Sequence, residues 1–318
     1  MTPVPTDRFS TRKNIVALGL DDNMIYGFLV LAHRLARTPR DEVFLVVGYF
    51  PGKLSAKNVD LIGRYLSWLA IEHDIVEYSP HVLFTERRHL TMTTFLKFVI
   101  SDELGQAHLW LDIDTVVTSG WDGIFPAIRE APDSAGLVVA EKIPGPDTRF
   151  EGFNAGVLGW TGKTREDWLP ALASLPEKRF SSEQYLFNTL YSGKTASVGS
   201  EFNFLSSWHR NFDPENMPQI IHYSGPLKPW HLHRSHASRW TKINPTWSVW
   251  FQAEREMMTD IRGQGFASTV AMYCRRALFS GRLHTGKGSA ASWVLRVLAI
   301  LGPLGAPLTW LLVTRAKT

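Results

Sequence analysis

From Asn14 to Thr118 the chain alternates short apolar runs with amphipathic stretches, and this alternation restricts the fold more than any other feature. Asn14–Leu20 reads as a buried strand, Met24–Thr38 as a helix stopped by Pro39, and Glu42–Gly48 as a second strand. Ser55 is placed to cap a helix that carries Val59, Ile62, Leu66 and Leu69 at helical spacing. Ile71–Tyr78 forms a third strand, Thr91 or Thr93 opens another helix, and His108–Leu111 is a fourth strand. Such a succession predicts a mostly parallel sheet with right-handed crossovers, whose ligands bind beyond the carboxyl ends of the strands. Asp21, Asp22 and Asn23 follow the first strand and Asp112 and Asp114 the fourth, so two acidic clusters are expected at one crevice.

The second cluster sits in Leu109-Trp110-Leu111-Asp112-Ile113-Asp114-Thr115-Val116-Val117. If this segment is extended, its period of two puts Asp112 and Asp114 on one face. Two carboxylates facing the same way at a buried strand end repel and are costly to desolvate, so they hold a cation or share a proton. A divalent metal is the expected occupant. An isolated Asp-x-Asp also suits a solvated strand end or an Asx turn, so the remaining segments decide its weight.

Composition narrows the classes. With 318 residues, 44% hydrophobic and 20% charged, the chain is a folded globular protein. Its net charge is +4, and Arg275, Arg276, Arg282 and Lys287 crowd the C-terminal part. No zinc-finger or base-stacking signature accompanies them, which favours a membrane surface and no nucleic acid. The sole cysteine, Cys274, excludes an internal disulfide and fits a reducing compartment. Ile15–Leu20 is too short for a secretory h-region and is followed by Asp21-Asp22, so a cytoplasmic location is expected. Val297–Thr314 contains no charged residue and is flanked by Arg296, Arg315 and Lys317. As a helix it would reach about 27 Å, short of the ~30 Å hydrocarbon core, and Gly302, Pro303, Gly305 and Pro307 oppose a straight helix. The tail is therefore expected to lie in or re-enter one leaflet at the inner face of the membrane, a peripheral or monotopic contact. A C-terminal helix packed on the domain is the alternative.

Four separated segments carry the chemistry when taken together: Leu111-Asp112-Ile113-Asp114, Phe153-Asn154-Ala155-Gly156-Val157-Leu158, Ser182-Glu183-Gln184-Tyr185-Leu186-Phe187-Asn188, and His222-Tyr223-Ser224-Gly225-Pro226-Leu227-Lys228-Pro229-Trp230. Their order and spacing resemble glycosyltransferase family 8, which includes glycogenin and bacterial lipopolysaccharide galactosyl- and glucosyltransferases. The resemblance begins at Leu20-Asp21-Asp22-Asn23, continues through Arg88-His89-Leu90-Thr91-Met92-Thr93-Thr94-Phe95 and ends near Trp230-His231. It implies a single α/β domain of GT-A type with a Rossmann-like nucleotide-binding sheet, followed by a C-terminal helical, membrane-associating tail. The expected division is an N-terminal tail at 1–13 and a domain at 14–250, with a nucleotide-binding half at 14–118 and an acceptor half at 119–250. A basic helical region and the apolar tail then occupy 251–318.

By this resemblance the chain moves a hexosyl group from a UDP-sugar, UDP-galactose or UDP-glucose, to a hydroxyl of a glycan or lipid-linked acceptor with retention of configuration. Asp112, Asp114 and His222 would bind Mn²⁺ or Mg²⁺ against the donor diphosphate, a ligand set of hard oxygens and one borderline nitrogen suited to Mn²⁺. For His222 alone, a hydrogen-bonded core histidine is the simpler account. Lys228 and Gly225 would meet the phosphates, Lys228 as a cation and Gly225 by letting backbone N–H groups approach closely. Asp21, Asp22 and Asn23 would meet the uridine. His89, Lys97, Asp112, Ile113 and Asn154 complete the nucleotide-sugar set. Lys97 stands where bacterial members often carry Arg; it keeps the charge but loses the bidentate fork. Gln184 matches the family position nearest the reacting carbon, and Glu183-Gln184-Tyr185 replaces the usual Asp-Gln-Asp. Two routes stay open: Gln184 or Glu183 as nucleophile, or attack of the acceptor from the leaving-group face.

Two other readings compete. Apolar-Asp-x-Asp-Thr-Val is also the first motif of haloacid-dehalogenase-type phosphatases, yet no Gly-Asp-x-x-x-Asp element follows Asp114. A catalytically inactive, membrane-anchored carbohydrate-binding protein is the other. Trp208, Trp230, Trp240, Trp247 and Trp250 suit sugar stacking, interface anchoring or core packing equally.

Overall fold

The computed structural model describes residues 9–38, 42–84, 92–143, 152–174, 183–225, 228–231 and 237–280. The first elements follow the apolar periodicity: β1 (Ile15–Gly19), α1 (Ile25–Arg37), β2 (Phe44–Tyr49), α2 (Ala56–Trp68), β3 (Glu72–Glu77), α3 (Leu96–Leu104) and β4 (His108–Leu111). Then come β5 (Thr115–Val117), α4 (Ile124–Glu130), β6 (Leu137–Ala140), β7 (Val157–Trp160), α5 (Trp168–Ser174), α6 (Glu183–Leu190), β8 (Thr195–Val198), β9 (Phe204–Leu205) and β10 (Ile220–His222). Three helices close the described chain: α7 (Ala237–Ile243), α8 (Trp247–Asp260) and α9 (Ala267–Ser280).

Among the described residues the main sheet has seven strands in the order β3-β2-β1-β4-β7-β6-β8. Only β7 runs against its neighbours, so the sheet is mostly parallel, as the alternation predicts. The strand order reverses at β1/β4, since β2 and β3 extend the sheet to one side of β1 and β4 lies on the other. Crevices form at such a reversal because the helices following the two strands leave to opposite faces. Side-chain alternation in β1 separates two apolar layers. Val16 and Leu18 face α1 and α2, whereas Ile15 and Ala17 face α3 and the aromatic set Phe95, Phe98 and Trp110.

Several sequence expectations change locally. Ser55 does precede α2 in extended conformation, but the carboxylate of Asp22 caps the helix by accepting from Ser55 N at 2.9 Å and Asn58 Nδ2 at 2.6 Å. Thr93 lies in a short 3₁₀ turn before α3 and donates its hydroxyl to Asp21 Oδ2 at 3.1 Å instead of capping the helix. The C-terminal helices belong to the core. α8 runs through residue 250 and packs on α1, with Arg34 paired to Glu256 at 2.6 Å and His33 Nε2 3.2 Å from Asp260. Trp230, Trp240, Trp247 and Trp250 are buried in that layer, which assigns them to packing; Trp208 is half-buried. None of the described helices is long and apolar enough to cross a membrane, and the apolar stretch Val297–Thr314 lies outside the described residues.

One buried histidine makes stability depend on pH. His108 stacks on Trp160 with centroids 5.0 Å apart and contacts Gln106 O at 2.7 Å and Ser101 Oγ at 2.9 Å. Burial pushes its imidazole down from 6.5 to about 4, so the folded protein keeps it neutral where the unfolded chain takes a proton. Its contribution is complete above pH 6.5 and is lost as pH falls toward 4, at up to about 1.4 kcal/mol per pH unit. Urea unfolding between pH 7 and 4.5 is expected to show a steeper acid loss in the native protein than in His108→Phe, which keeps the stack without the titration.

Candidate active site

The acidic pair sits where the chain leaves the main sheet. Asp112 and Asp114 do not lie on one extended segment: they occupy a tight turn between β4 and β5, in which Thr115 N donates to Asp112 O at 3.2 Å and the Thr115 hydroxyl donates to the same oxygen at 2.8 Å. The turn, and not strand alternation, sets the two carboxylates together, because β5 must change direction to enter a second sheet, ordered β5-β10-β9. That sheet also delivers His222. β10 pairs antiparallel with β5 in the register His222↔Thr115, and Tyr223 N donates to Asp114 O at 2.8 Å. One donor atom each from Asp112, Asp114 and His222 therefore lies within 4.8 Å of the others. An octahedral divalent ion with bonds of about 2.1 Å spaces its donors by roughly 3 to 4.2 Å, and the Asp114 Oδ1–His222 Nε2 separation of 3.3 Å falls in that range.

Two lysines balance the acids. Lys97, fully buried on α3, reaches Asp112 Oδ1 and Glu183 Oε1, both at 3.1 Å. Burial alone would lower its pKa, but Asp112 and Glu183 overcome this and raise it, keeping the ammonium charged. Trp110 Nε1 donates to the same Asp112 oxygen at 2.8 Å, which fixes the carboxylate from the sheet side. Asp114 contacts His222 Nε2 at 3.3 Å and is bonded to Lys228 Nζ. Burial would raise the Asp114 carboxyl, but the Lys228 ammonium and His222 hold it far below the usual carboxylate range. Lys228 also donates to Tyr223 O at 3.0 Å, and Trp230, packed 4.9 Å from Trp250, anchors its loop in the α1–α8 layer. Burial pushes neighbouring His231 down to about 4, with Lys228 adding repulsion; Lys228 N donates to its Nδ1 at 3.2 Å.

A chain of side-chain amides connects the acid cluster to α6. Gln184 Oε1 accepts from Asn154 Nδ2 at 3.1 Å and from Ala155 N at 3.4 Å. Asn154 Oδ1 accepts from Gly156 N at 2.9 Å and from Asn203 Nδ2 at 3.1 Å, and Asn203 Oδ1 lies 3.1 Å from His222 Nδ1. Gly156 is required here for space. A Cβ at that position would lie 2.1 Å from His222 Cε1, closer than any real contact.

On the nucleotide side, Asp21 is buried at the end of β1, accepting from Thr93 and from Asn23 N at 2.8 Å. It lies beside the strand that leads to Asp112, as expected for one crevice. Asn23 is exposed, whereas Asp22 spends one carboxylate oxygen on α2. Ile113 is buried in the turn, and Gly225 holds a φ of +106°, which favours glycine. Tyr185 is an exposed aromatic on α6. His89, Ser182, Pro226 and Leu227 lie outside the described residues. The sequence reading missed Asn203: it falls in no motif and becomes polar machinery only because the turn before β9 places it beside His222. Trp110 was likewise indistinguishable from an ordinary strand residue.

Comparison with known proteins adds the decisive observation. The model of the family described as Glycosyl transferase family 8 matches residues 15–233, which contain every segment of this site. The chain belongs to glycosyltransferase family 8. This is a glycosyltransferase, and the phosphatase reading is set aside. Its fold is that of solved glycosyltransferases. A structure of the galactosyltransferase LgtC with donor and acceptor sugar analogues is 23% identical, with a TM-score of 0.53 over 69% of this chain and 89% of that one. The glycosyltransferase GlyE of Streptococcus pneumoniae TIGR4 is 20% identical, with a TM-score of 0.57 over 82% of this chain and 64% of that one. The bifunctional glycosyltransferase WbbM is 14% identical, with a TM-score of 0.55 over 86% of this chain and 53% of that one. No curated protein matches the chain.

In this family 8 transferase the close approach at Gly156 yields a direct test. Gly156→Ala is expected to displace the His222 ring and weaken divalent-metal binding at least about 10-fold, the size typical when a metal ligand loses its support. Titration of Mn²⁺ by electron paramagnetic resonance, with circular dichroism to confirm folding, measures this.

Proposed function

We propose that this protein transfers a hexosyl group from a UDP-sugar, UDP-galactose or UDP-glucose, to a hydroxyl of a glycan or lipid-linked acceptor, with retention and dependence on Mn²⁺. The observation that carries the reading is the convergence of Asp112, Asp114 and His222 at the strand-order reversal, linked through Asn203 and Asn154 to Gln184. Those three ligands would hold the ion, which when bound supplies Lewis-acid neutralisation of the departing diphosphate. Lys228 is a cation on the same loop, with Gly225 leaving its backbone open, and both suit phosphate. Asp21 and Asn23 suit the uridine, as part of the nucleotide-sugar set that includes Asp22, His89, Lys97 and Ile113.

Asn154 and Gln184 would orient the transferred sugar. The Gln184 amide oxygen already accepts two hydrogen bonds, which makes it a poor nucleophile. Glu183 Oε1 is held by the buried Lys97 ammonium at 3.1 Å, which ties that oxygen up in an ion pair. Both facts favour a positioning role for these side chains and attack of the acceptor from the leaving-group face. Tyr185, exposed where the family resemblance expects an acid, presents an aromatic surface to acceptor or donor. The basic and apolar C-terminal segments would hold the enzyme against the inner face of the membrane; truncation after Ser289 should then release it to the supernatant of lysed cells, and retention on membranes would refute that contact.

The test is turnover. Purified protein incubated with a panel of UDP-sugars and Mn²⁺ is expected to release UDP from one of them, and the release should be abolished by EDTA. In Asp114→Asn it should fall about 100-fold or more, the scale at which lost charge stabilisation of a leaving group acts. Binding of UDP without release from any sugar would point to a strict need for an acceptor, whereas silence across the panel with no UDP binding would favour the inactive carbohydrate-binding reading.

A further inference from the structure

We propose that Asn203 is a positioning residue that sets the metal affinity of the site by locking His222 in its Nδ1–H tautomer; this rests on the metal reading above. The argument follows hydrogen-bond polarity inward from the backbone. Gly156 N–H can only donate, so the Asn154 atom 2.9 Å from it is the amide oxygen. Asn203 Nδ2 lies 3.1 Å from that oxygen and 3.3 Å from the Asn154 carbonyl. Two acceptors demand a donor, so the Asn203 amino group must point there. Its carbonyl oxygen then faces His222 Nδ1 at 3.1 Å, and an acceptor at that distance needs a hydrogen on Nδ1.

With its Nδ1–H committed to Asn203, the ring leaves Nε2 as the nitrogen facing the acid cluster, 3.3 Å from Asp114 Oδ1. A divalent ion held by the acids would take the Nε2 lone pair. The backbone at Gly156 thus dictates, through two amides, that His222 turns Nε2, and not Nδ1, to the acids. Asn203 is almost fully buried, and Gly156 lies against the Nδ1–Cε1 edge of the ring, so the Asn203 oxygen is not replaced by water without loss.

The role separates from simple packing by the contrast between two substitutions. Asn203→Asp keeps an oxygen for Nδ1–H but gives up the donor to Asn154; Asn203→Leu removes both at similar volume. Mn²⁺ titration without donor is expected to show Asn203→Leu weakened about 10- to 100-fold, and Asn203→Asp weakened less than the leucine variant. Long-range ¹H–¹⁵N correlation spectra at pH 8 should report Nδ1–H for His222 in the metal-free native protein, with the resonance assigned by its loss in His222→Gln. A folded Asn203→Leu that binds Mn²⁺ within about threefold of the native protein, an Asn203→Asp weakened as much as the leucine variant, or an Nε2–H tautomer would each overturn the proposal. If Asn203→Leu does not fold, the aspartate variant and the native spectrum decide. Failure of the native protein to bind Mn²⁺ overturns the metal reading instead, while the tautomer still decides what Asn203 does.

Discussion

Three carboxylates, Asp112, Asp114 and Glu183, are drawn into one partly dry crevice, and the surrounding structure exists to make that tolerable. Like charges at short range in a medium of reduced dielectric repel strongly, and desolvation adds to the cost. Lys97 answers two of them from within the α3 layer, and Lys228 answers the third from a loop pinned by Trp230. The basic side chains come from opposite sides of the site, so the α3 layer and the α1–α8 layer must both be in place before the cluster is balanced. Helix α8 thereby supports chemistry it does not touch: its Trp250 holds Trp230, and Tyr223, next to His222, donates at 2.8 Å to the carbonyl of Thr246, which caps that helix.

A second constraint is directional. Charges fix where groups sit, but hydrogen-bond polarity fixes which atom each presents. Gln184, Asn154, Asn203 and His222 form a line of polar side chains whose orientations follow from two backbone N–H groups, those of Ala155 and Gly156. Because those N–H groups belong to the loop entering β7, the strand that runs antiparallel beside β4, sheet pairing sets both the position of Asp112 and the orientation of the amides opposite it. Asp112 N itself donates to Gly156 O at 2.7 Å, tying the two loops directly.

Much of this was legible in the sequence. Short apolar runs and amphipathic stretches gave the first four strands and three helices to within a few residues, because what each segment must bury is a local requirement that the pattern satisfies. The Asp-x-Asp pair, the downstream His222 and the Gln184 segment were visible as residue types in an order that resembles family 8. The same reading misjudged how Asp112 and Asp114 come together, because a tight turn and a strand are not distinguished by an apolar-flanked Asp-Ile-Asp. It could not separate Asp22, half committed to α2, from Asp21 beside it. Nor did tryptophan content tell sugar platforms from core, a matter of which neighbours each ring meets.

The sequence by itself determined the alternating α/β architecture and the chemical kinds of group available: carboxylates, an imidazole, amides and lysines. Only the tertiary structure decided which of them meet. Asp114 and His222 are 108 residues apart and become partners because β10 pairs with β5 in a single register. Asn203, outside every motif, meets His222 through a turn that no local preference announces. Local pattern records what each segment must bury, whereas a site is made of groups left unburied at the ends of several segments. Their meeting depends on strand order and register, which are settled by packing across the whole chain.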